Sequence, residues 1–143
     1  MPTWLKVILI ILFIGIAAVA LAVFLGVQWF RAHKAELSEQ GAAVIAEAEA
    51  FGRGKDAEAC VSESLARLRR CDGFICEAQT KIFLGQCVKS SNVPPGFCDG
   101  IPKRSEILPS VTWALNECAR RGLANDRPCT RLIGALQEAC EKR

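Results

Sequence analysis

The spacing of the eight cysteines constrains the fold of this chain more than any other feature of its sequence. Five pairs of cysteines are eleven residues apart, namely Cys60/Cys71, Cys76/Cys87, Cys87/Cys98, Cys118/Cys129 and Cys129/Cys140. Eleven residues make about three turns of α-helix, so both thiols of a pair emerge on one face, about 16 Å apart along the axis. Two such helices lying antiparallel can be joined by one disulfide at each end. The spacing therefore predicts an all-α fold built from disulfide-linked helices.

Residues 57–88 are predicted to form the first antiparallel hairpin. Asp56 is a candidate N-cap for a helix over 57–70, and Asp72-Gly73 provides a turn before a second helix over about 74–88. The residues expected on the inner sides of these helices are Cys60, Val61, Ser64, Leu65 and Leu68, followed by Phe74, Ile75, Ala78, Ile82 and Phe83.

A second hairpin is predicted over 105–142, after a connector rich in proline and glycine. Its first helix is expected to start at Ser105 or Pro109 and to end at Arg121, with Gly122 directly after it. Its second helix is expected to be capped by Asn125 or Asp126, with Pro128 in the first turn. The expected inner residues are Ile107, Leu108, Val111, Ala114, Leu115 and Cys118, and then Cys129, Leu132, Ile133, Leu136 and Cys140.

Antiparallel geometry also predicts which cysteines pair. In each hairpin one pair meets beside the turn and another closes the far end, and the matching arms of the first hairpin support this arrangement. The predicted disulfides are Cys60–Cys87, Cys71–Cys76, Cys98–Cys140 and Cys118–Cys129. Chain-entropy estimates give each bridge roughly 2 to 4 kcal/mol. Such contributions matter because short helices in a small domain bury little apolar surface.

The N-terminal part of the chain predicts a transmembrane helix over 7–30, preceded by a short segment, 1–6. No residue in 7–30 is charged, and Gln28 is the only strongly polar one. As a helix this run covers roughly 30 Å, the thickness of a bilayer's hydrocarbon core. Trp4 and Trp29 lie at its edges, where interfacial aromatic residues are common.

A cleaved signal peptide is the alternative interpretation, because Ala18-Val19-Ala20 and Ala20-Leu21-Ala22 both resemble cleavage sites. The apolar run is longer than the roughly 7–15 residues of a signal h-region, which favours a retained anchor. Small residues recur along one face of the run, which permits close helix contact and self-association, although such residues also occur in spans without a partner. They are Gly15, Ala18, Ala22 and Gly26.

The charges flanking the apolar run leave its orientation open, since Lys6 precedes it while Arg31 and Lys34 follow it. An even number of cysteines in a small helical module is typical of an oxidising compartment. We therefore expect a cytoplasmic N-terminus and an extracytoplasmic cysteine-rich domain over 57–143. Between them, 31–56 is polar and rich in alanine, which predicts a helical stalk ending in a hinge at Gly52 and Gly54.

The segment Cys60-x10-Cys71-x4-Cys76-x10-Cys87 resembles the coiled-coil-helix-coiled-coil-helix family, whose helical hairpins carry twin Cys-x9-Cys motifs held by two parallel disulfides. The resemblance covers residues 60–87, with each spacing one residue longer, a short turn, and a second hairpin following. Members of that family usually act in the mitochondrial intermembrane space as assembly factors or structural subunits. We carry over the architecture and no functional residue. The anchor and the Ala/Arg-rich composition favour a bacterial periplasmic protein over a mitochondrial one.

No residue pattern points to a catalytic site, a cofactor or a metal. The only histidine, His33, lies beside the apolar run, and a zinc site would have to be assembled from cysteines with no Cys-x2-Cys spacing. Residues 57–143 carry 13 Lys/Arg against 10 Asp/Glu, too small a surplus to propose nucleic acid as a partner. The weaker candidates are zinc at Cys71, Cys76, Cys118 and Cys129, acid pairs at Glu58/Glu63 and Glu138/Glu141, and a lipid pocket lined by Trp113, Phe74, Phe83 and Phe97.

The sequence therefore predicts a transmembrane helix, a helical stalk and a small disulfide-stapled domain of two antiparallel helical hairpins. Because the cysteines provide rigidity and the apolar run provides a tether, we expect a non-enzymatic interaction or assembly module with a protein partner. A carrier of lipids or other hydrophobic ligands is one alternative. A thiol–disulfide redox protein is the other, with Cys76 near a helix N-terminus as its reducible position.

Overall fold

The computed structural model describes residues 3–142 and is all-helical. Met1, Pro2 and Arg143, which belong to the predicted N-terminal segment and cysteine-rich domain, lie outside the described residues. The chain divides into two compact units, of which one ends at Glu39 and the other begins at Gln40. The five helices are α1 (Thr3–Gly52), α2 (Ala57–Leu68), α3 (Phe74–Ser90), α4 (Ile107–Arg120) and α5 (Arg127–Glu141).

The first unit consists of the apolar part of α1. The stretch Trp4–Glu36 contains an 18-residue window with a mean hydropathy of 3.3, and none of that window is buried. A helix of this length and composition is a candidate membrane span, and it includes the predicted segment 7–30. The absence of burial distinguishes it from the core helix of a globular domain.

Within the second unit, α2 and α3 form the first antiparallel hairpin. The Asp56 carboxylate caps α2 by accepting a hydrogen bond from the Ala59 N–H at 2.8 Å, as the sequence predicts. The turn before α3 passes through Gly73, whose φ of 94° lies in the left-handed region that favours glycine. The buried residues of the two helices are Ala57, Cys60, Val61, Ser64, Leu65, Leu68, Thr80, Phe83, Leu84, Cys87 and Val88.

The second hairpin is formed by α4 and α5. At the end of α4, Leu123 N–H donates to the Cys118 carbonyl at 2.8 Å and Gly122 N–H donates to the Ala119 carbonyl at 3.0 Å. This pair of bonds, with Gly122 at a φ of 75°, is a Schellman motif that ends the helix at the predicted glycine. Asp126 then caps α5 by accepting from the Cys129 N–H at 2.7 Å.

All eight cysteines form disulfides in the structure. The four pairs are those that antiparallel helix geometry predicts. Their Cα–Cα distances are 5.7 Å for Cys60–Cys87, 5.4 Å for Cys71–Cys76, 5.6 Å for Cys98–Cys140 and 6.1 Å for Cys118–Cys129. The Cys60–Cys87 and Cys118–Cys129 bridges are fully buried, whereas the other two are partly exposed.

The two hairpins pack together through α3 and α5, while α2 also contacts α5. Ion pairs at the edges also join the two hairpins. The Arg121 guanidinium donates two bonds to the Glu58 carboxylate at 2.6 and 3.0 Å, and Arg131 donates to Glu77 at 2.7 Å. The packed contact between the two hairpins is therefore bordered by ion pairs, which help to fix the orientation of one hairpin relative to the other.

The end of α1 belongs to this compact unit, so the boundary differs from the predicted stalk over 31–56. Ala48 is fully buried, the Phe51 ring lies 5.8 Å from the Phe83 ring, and the Gln79 side chain donates to Gln40 at 3.2 Å. Residues 40–52 thus add a third helix to the first hairpin. Sequence alone does not show this, because alanine is compatible with both an exposed stalk and a close helix contact.

Gly52 ends α1 in close contact with α3, which differs from the predicted hinge. A Cβ atom at this position would lie 2.6 Å from the Cys87 carbonyl oxygen. Glycine is therefore required by the approach of two backbones at the Cys60–Cys87 bridge. Two further hydrogen bonds close this end, from Asn92 N–H to the Lys55 carbonyl and from Ala57 N–H to the Asn92 carbonyl.

Several residues that were expected on inner faces are exposed, which corrects that part of the sequence interpretation. On α3, Phe74, Ile75 and Ile82 face solvent, and Phe74 is 82% exposed. On α4 the exposed residues are Ile107, Leu108, Val111 and Leu115. The disulfides and buried polar groups turn the helices away from the expected orientation. Thr80 on α3 and Glu117 on α4 are buried instead.

Arg67 links three helices of the unit. Its guanidinium donates to Glu63 on α2 at 3.0 Å and to Glu47 on α1 at 2.7 Å, and it lies 3.7 Å from the centre of the Phe83 ring. The hydrogen bond from Arg67 holds the pKa of the Glu47 carboxyl below its usual value. One side chain therefore joins α1 and α2 above the aromatic contact between Phe51 and Phe83.

We predict that Gly52→Ala lowers the free energy of unfolding by about 1–3 kcal/mol, because the Cys87 carbonyl is a backbone group that cannot move aside. Gly41→Ala, in the same helix, is the matched control. Its Cβ would meet nothing within 4 Å, so helix propensity should raise stability by up to about 1 kcal/mol. Denaturant unfolding of the full-length, oxidised protein in detergent measures both changes. Equal effects at the two positions would contradict the close contact at Gly52.

We also predict that the Glu47–Arg67 pair makes stability depend on acidity. A carboxyl with a lowered folded pKa stabilises above its unfolded pKa, near 4.5, and the contribution disappears as the pH falls through the folded value. When the pH is lowered from about 6 to about 3, the free energy of unfolding of the native chain should therefore fall by up to about 1 kcal/mol more than that of the Glu47→Gln variant, as measured by denaturant unfolding at each pH. Identical pH profiles for native and Glu47→Gln chains would contradict this assignment.

Candidate interaction surfaces

The residues singled out as chemical candidates are dispersed or engaged in structural contacts. The four cysteines of the suggested zinc site are divided between two disulfides, Cys71–Cys76 and Cys118–Cys129. Within residues 3–142 no group of three or more His, Cys, Asp or Glu side chains is arranged to hold a metal ion. His33 stacks on Trp29 in the apolar unit.

The carboxylates of the two suggested acid pairs all accept hydrogen bonds within the folded unit. Glu58 accepts two bonds from Arg121, while Glu63 accepts from Arg67. In the second pair, Glu138 accepts from Lys142 at 2.6 Å. Glu141 accepts from the backbone N–H of Arg104. These contacts give each of the four carboxylates a structural role.

The four aromatic residues of the suggested lipid pocket do not line one cavity. Phe83 is fully buried under Arg67, and Phe74 projects into solvent. Trp113 and Phe97 pack partly buried against the core. The redox hypothesis concerns the Cys71–Cys76 bridge, which is partly exposed. The Thr80 hydroxyl lies 3.5 Å from the Cys71 sulfur. That hypothesis stays a prediction.

The structure does form a groove between α3 and α5, with a volume of about 750 Å³. Its charged lining is strongly asymmetric, because the described residues that line it include five cations and a single acid, Glu138. The cations are Lys81, Lys89, Arg104, Arg131 and Lys142. Glu138 lies beside Lys142 and Arg104, and its hydrogen bond from Lys142 lowers the pKa of its carboxyl. We call this feature the cationic groove.

Small residues from both helices also line the cationic groove. Gly85 lies in the middle of α3, and Gly134 lies in the middle of α5. A Cβ atom at either glycine would meet nothing within 4 Å, so the helix packing does not require glycine at these positions. Ile82, Ala135 and Ala139 complete an uncharged strip between the cations.

A second surface is the apolar face of α4, which we define by Ile107, Leu108, Val111 and Leu115. These four large side chains are 40–80% exposed. They lie at helical spacing on one side of the first three turns of α4, a helix that packs against α5. The residues that α4 buries are smaller or polar, namely Ala114, Glu117 and Cys118.

The two surfaces contain residues whose roles do not follow from the sequence. The even dispersal of basic residues along the chain conceals the cationic groove, since Lys81 and Arg131 lie on different hairpins. One usable signal is the spacing of Lys81 and Lys89, eight residues apart and hence on one side of α3. Mid-helix glycines at 85 and 134 are another signal, because glycine costs about 1 kcal/mol in a helix interior.

Comparison of the chain with protein-family models, with curated proteins and with solved structures gives no match. The assignment of function therefore depends on the apolar helix, the disulfide frame and these two surfaces. Four disulfides and an N-terminal apolar helix together fit a membrane-anchored, disulfide-rich module.

Proposed function

We propose that this chain is a membrane-anchored, extracytoplasmic interaction or assembly module. The observation that carries the proposal is the apolar face of α4. A domain of this size that has four disulfides and a satisfied polar interior still leaves four large aliphatic side chains exposed together on one helix. Contiguous exposed apolar residues bordered by polar ones are typical of protein interaction sites.

The disulfide frame supports this proposal because it reduces the cost of binding. A surface whose helices are already crosslinked loses little conformational entropy when it docks, so more of the contact energy appears as affinity. The Cys118–Cys129 bridge fixes the end of α4. The Gln137 amide fixes its beginning by donating to the Ser110 hydroxyl at 2.7 Å. The apolar face of α4 is thus held at both ends.

The proposed location follows from chemistry and from the apolar helix. Stable disulfides are favoured in oxidising compartments, so we place the cysteine-rich domain outside the cytoplasm and the N-terminus inside it. A bacterial periplasm suits this arrangement better than a mitochondrial intermembrane space. If the apolar helix is instead a signal segment that is removed, the domain still reaches the same compartment and loses only its tether.

The partner that we propose is a protein docking on the apolar face of α4, with its chemical identity open. Self-association through the apolar helix is a separate contact, for which Gly15 and Gly26 offer open space around their Cα atoms. Ala18 and Ala22 complete that small-residue face. The two contacts can be distinguished, because one involves the second unit and the other involves the candidate membrane span.

We predict that a photoreactive benzoylphenylalanine at Leu108 in the full-length protein gives one discrete crosslinked product in native membranes. Leu108 is 80% exposed, so the replacement should leave the fold intact. Asn116 is the matched control, because it is exposed on the same helix but lies outside the apolar face, about 12 Å farther along the axis than Leu108. The product should form from Leu108 and be absent from Asn116.

The mass of the product, read by electrophoresis and mass spectrometry, separates the possible partners. A product heavier than the chain by an amount other than 15.5 kDa identifies a different protein. A product of twice the chain mass would assign the face to a second copy. Equal crosslinking from both positions, or none from Leu108, would contradict an interaction site on α4.

A further inference from the structure

We propose that the cationic groove binds an acidic segment of a partner protein, with carboxylates on both sides of the segment and small apolar side chains beneath it. This inference rests on the proposed interaction function, but it concerns a surface separate from the apolar face of α4. It adds the chemical class of a ligand, which the exposed aliphatic residues alone do not specify.

The charge balance of the domain is the first support. Among residues 57–142, which the structure describes, 12 are Lys/Arg and 10 are Asp/Glu, and the groove is lined by five of those cations and one of those acids. The other described residues of this range therefore include seven cations and nine acids. The positive excess is concentrated along one groove, where it attracts a negatively charged ligand.

The existing ion pairs do not remove these cations from solvent. Arg131 pairs with Glu77, and Arg104 and Lys142 both contact Glu138. Their side chains nevertheless remain 52%, 58% and 74% exposed, respectively. Each therefore has N–H donors available for an additional carboxylate, since a guanidinium has five donors and an ammonium has three.

The length of the groove favours an extended polyanion over a single anionic group. Arg131 and Lys142 are eleven residues apart on or just after α5, or about 16 Å along the helix axis. Lys81 and Lys89 on α3 are separated by about 12 Å in the same way. One phosphate or one lipid headgroup cannot contact cations at both ends. A peptide segment with several carboxylates can do so.

The two glycines provide independent support for a ligand in the groove. Gly85 and Gly134 occupy helix interiors, where alanine would be more stable by about 1 kcal/mol at each position. Neither is needed for close packing, since an added Cβ atom would enter open space. Because they line the groove and carry no side chain, both glycines leave its space open. With Ala135 and Ala139 beside them, they allow the backbone of a bound segment to approach the helices closely.

The test uses the full-length protein in phosphatidylcholine nanodiscs and a fluorescein-labelled peptide of Glu-Glu-Ala-Leu repeats. A length of about 16 residues lets the peptide span about 24 Å as a helix, enough to follow the whole groove. The matched peptide replaces every Glu by Gln. Fluorescence anisotropy should show binding of the acidic peptide alone, weakened at least tenfold between about 50 mM and about 500 mM NaCl.

Three variants assign the binding to the groove. Lys81→Gln with Lys89→Gln should weaken peptide binding by about tenfold or more. Arg69→Gln with Arg70→Gln removes the same charge from exposed positions outside the groove and should leave binding unchanged. Gly134→Leu should abolish binding by filling the groove, with no loss of thermal stability because the added side chain enters open space.

Absence of acidic-peptide binding would overturn the inference, as would equal weakening by the two double variants. Binding of phosphatidylglycerol vesicles that depends on Lys81 and Lys89, without peptide binding, would assign the groove to lipid headgroups and overturn it too. The Leu108 crosslink reports on the other surface. If that crosslink persists while the peptide fails to bind, the groove inference fails and the proposed interaction function stands.

Discussion

The disulfide between Cys60 and Cys87 is the contact on which the rest of the folded unit depends. It lies fully buried at the open end of the first hairpin, where three segments of chain meet. Gly52 brings α1 against the Cys87 carbonyl, and the Lys55–Asn92 backbone pairing closes the turn before α2. The bridge therefore fixes the rotation of α2 and α3 at the point where α1 joins them.

Covalent constraint replaces part of the apolar core in this protein. By chain-entropy reasoning, the Cys98–Cys140 bridge, which closes a separation of 42 residues, contributes about 4 kcal/mol, and the short Cys71–Cys76 bridge contributes about 2 kcal/mol. With such contributions, the helices can bury polar side chains and expose large apolar ones. The buried Ser64 and Thr80 hydroxyls donate to the Cys60 and Cys76 carbonyls, so their burial is compensated.

The exposed surfaces follow from the same constraint. Because Cys118–Cys129 and the Glu117–Arg121 pair turn one side of α4 inward, the aliphatic residues of its first turns remain outside. Because α3 and α5 pack against each other, basic side chains from both helices border a common groove. The two surfaces that we propose as interaction sites are thus consequences of how the hairpins are crosslinked.

The parts of the fold that follow from local rules could be read from the sequence, and the parts that depend on packing could not. Asp56, Asp126 and Gly122 mark helix ends through hydrogen bonds to near neighbours in the chain, so their roles were predictable. The direction in which Leu108 or Thr80 faces depends on contacts distant in sequence. Apolar periodicity alone placed Leu108 inside and did not identify Thr80 as buried.

The same distinction explains why the sequence does not predict the two interaction surfaces. The cationic groove combines Lys81 from one hairpin with Arg131 from the other, and no local pattern relates their positions. The burial of Ala48 in the second unit is equally non-local, since the partner of α1 lies some 30 residues away on α3. The cysteine spacing is the exception, because its period reports helix geometry directly.

The most direct test is a disulfide map of the full-length protein, isolated from native membranes with free thiols blocked at lysis and digested without reduction. Mass spectrometry of the linked peptides should recover four bridges, namely Cys60–Cys87, Cys71–Cys76, Cys98–Cys140 and Cys118–Cys129. Alkylated, unlinked cysteines at most of these positions, or a Cys60 bridge to a partner other than Cys87, would contradict the crosslinked frame and the compartment assigned from it.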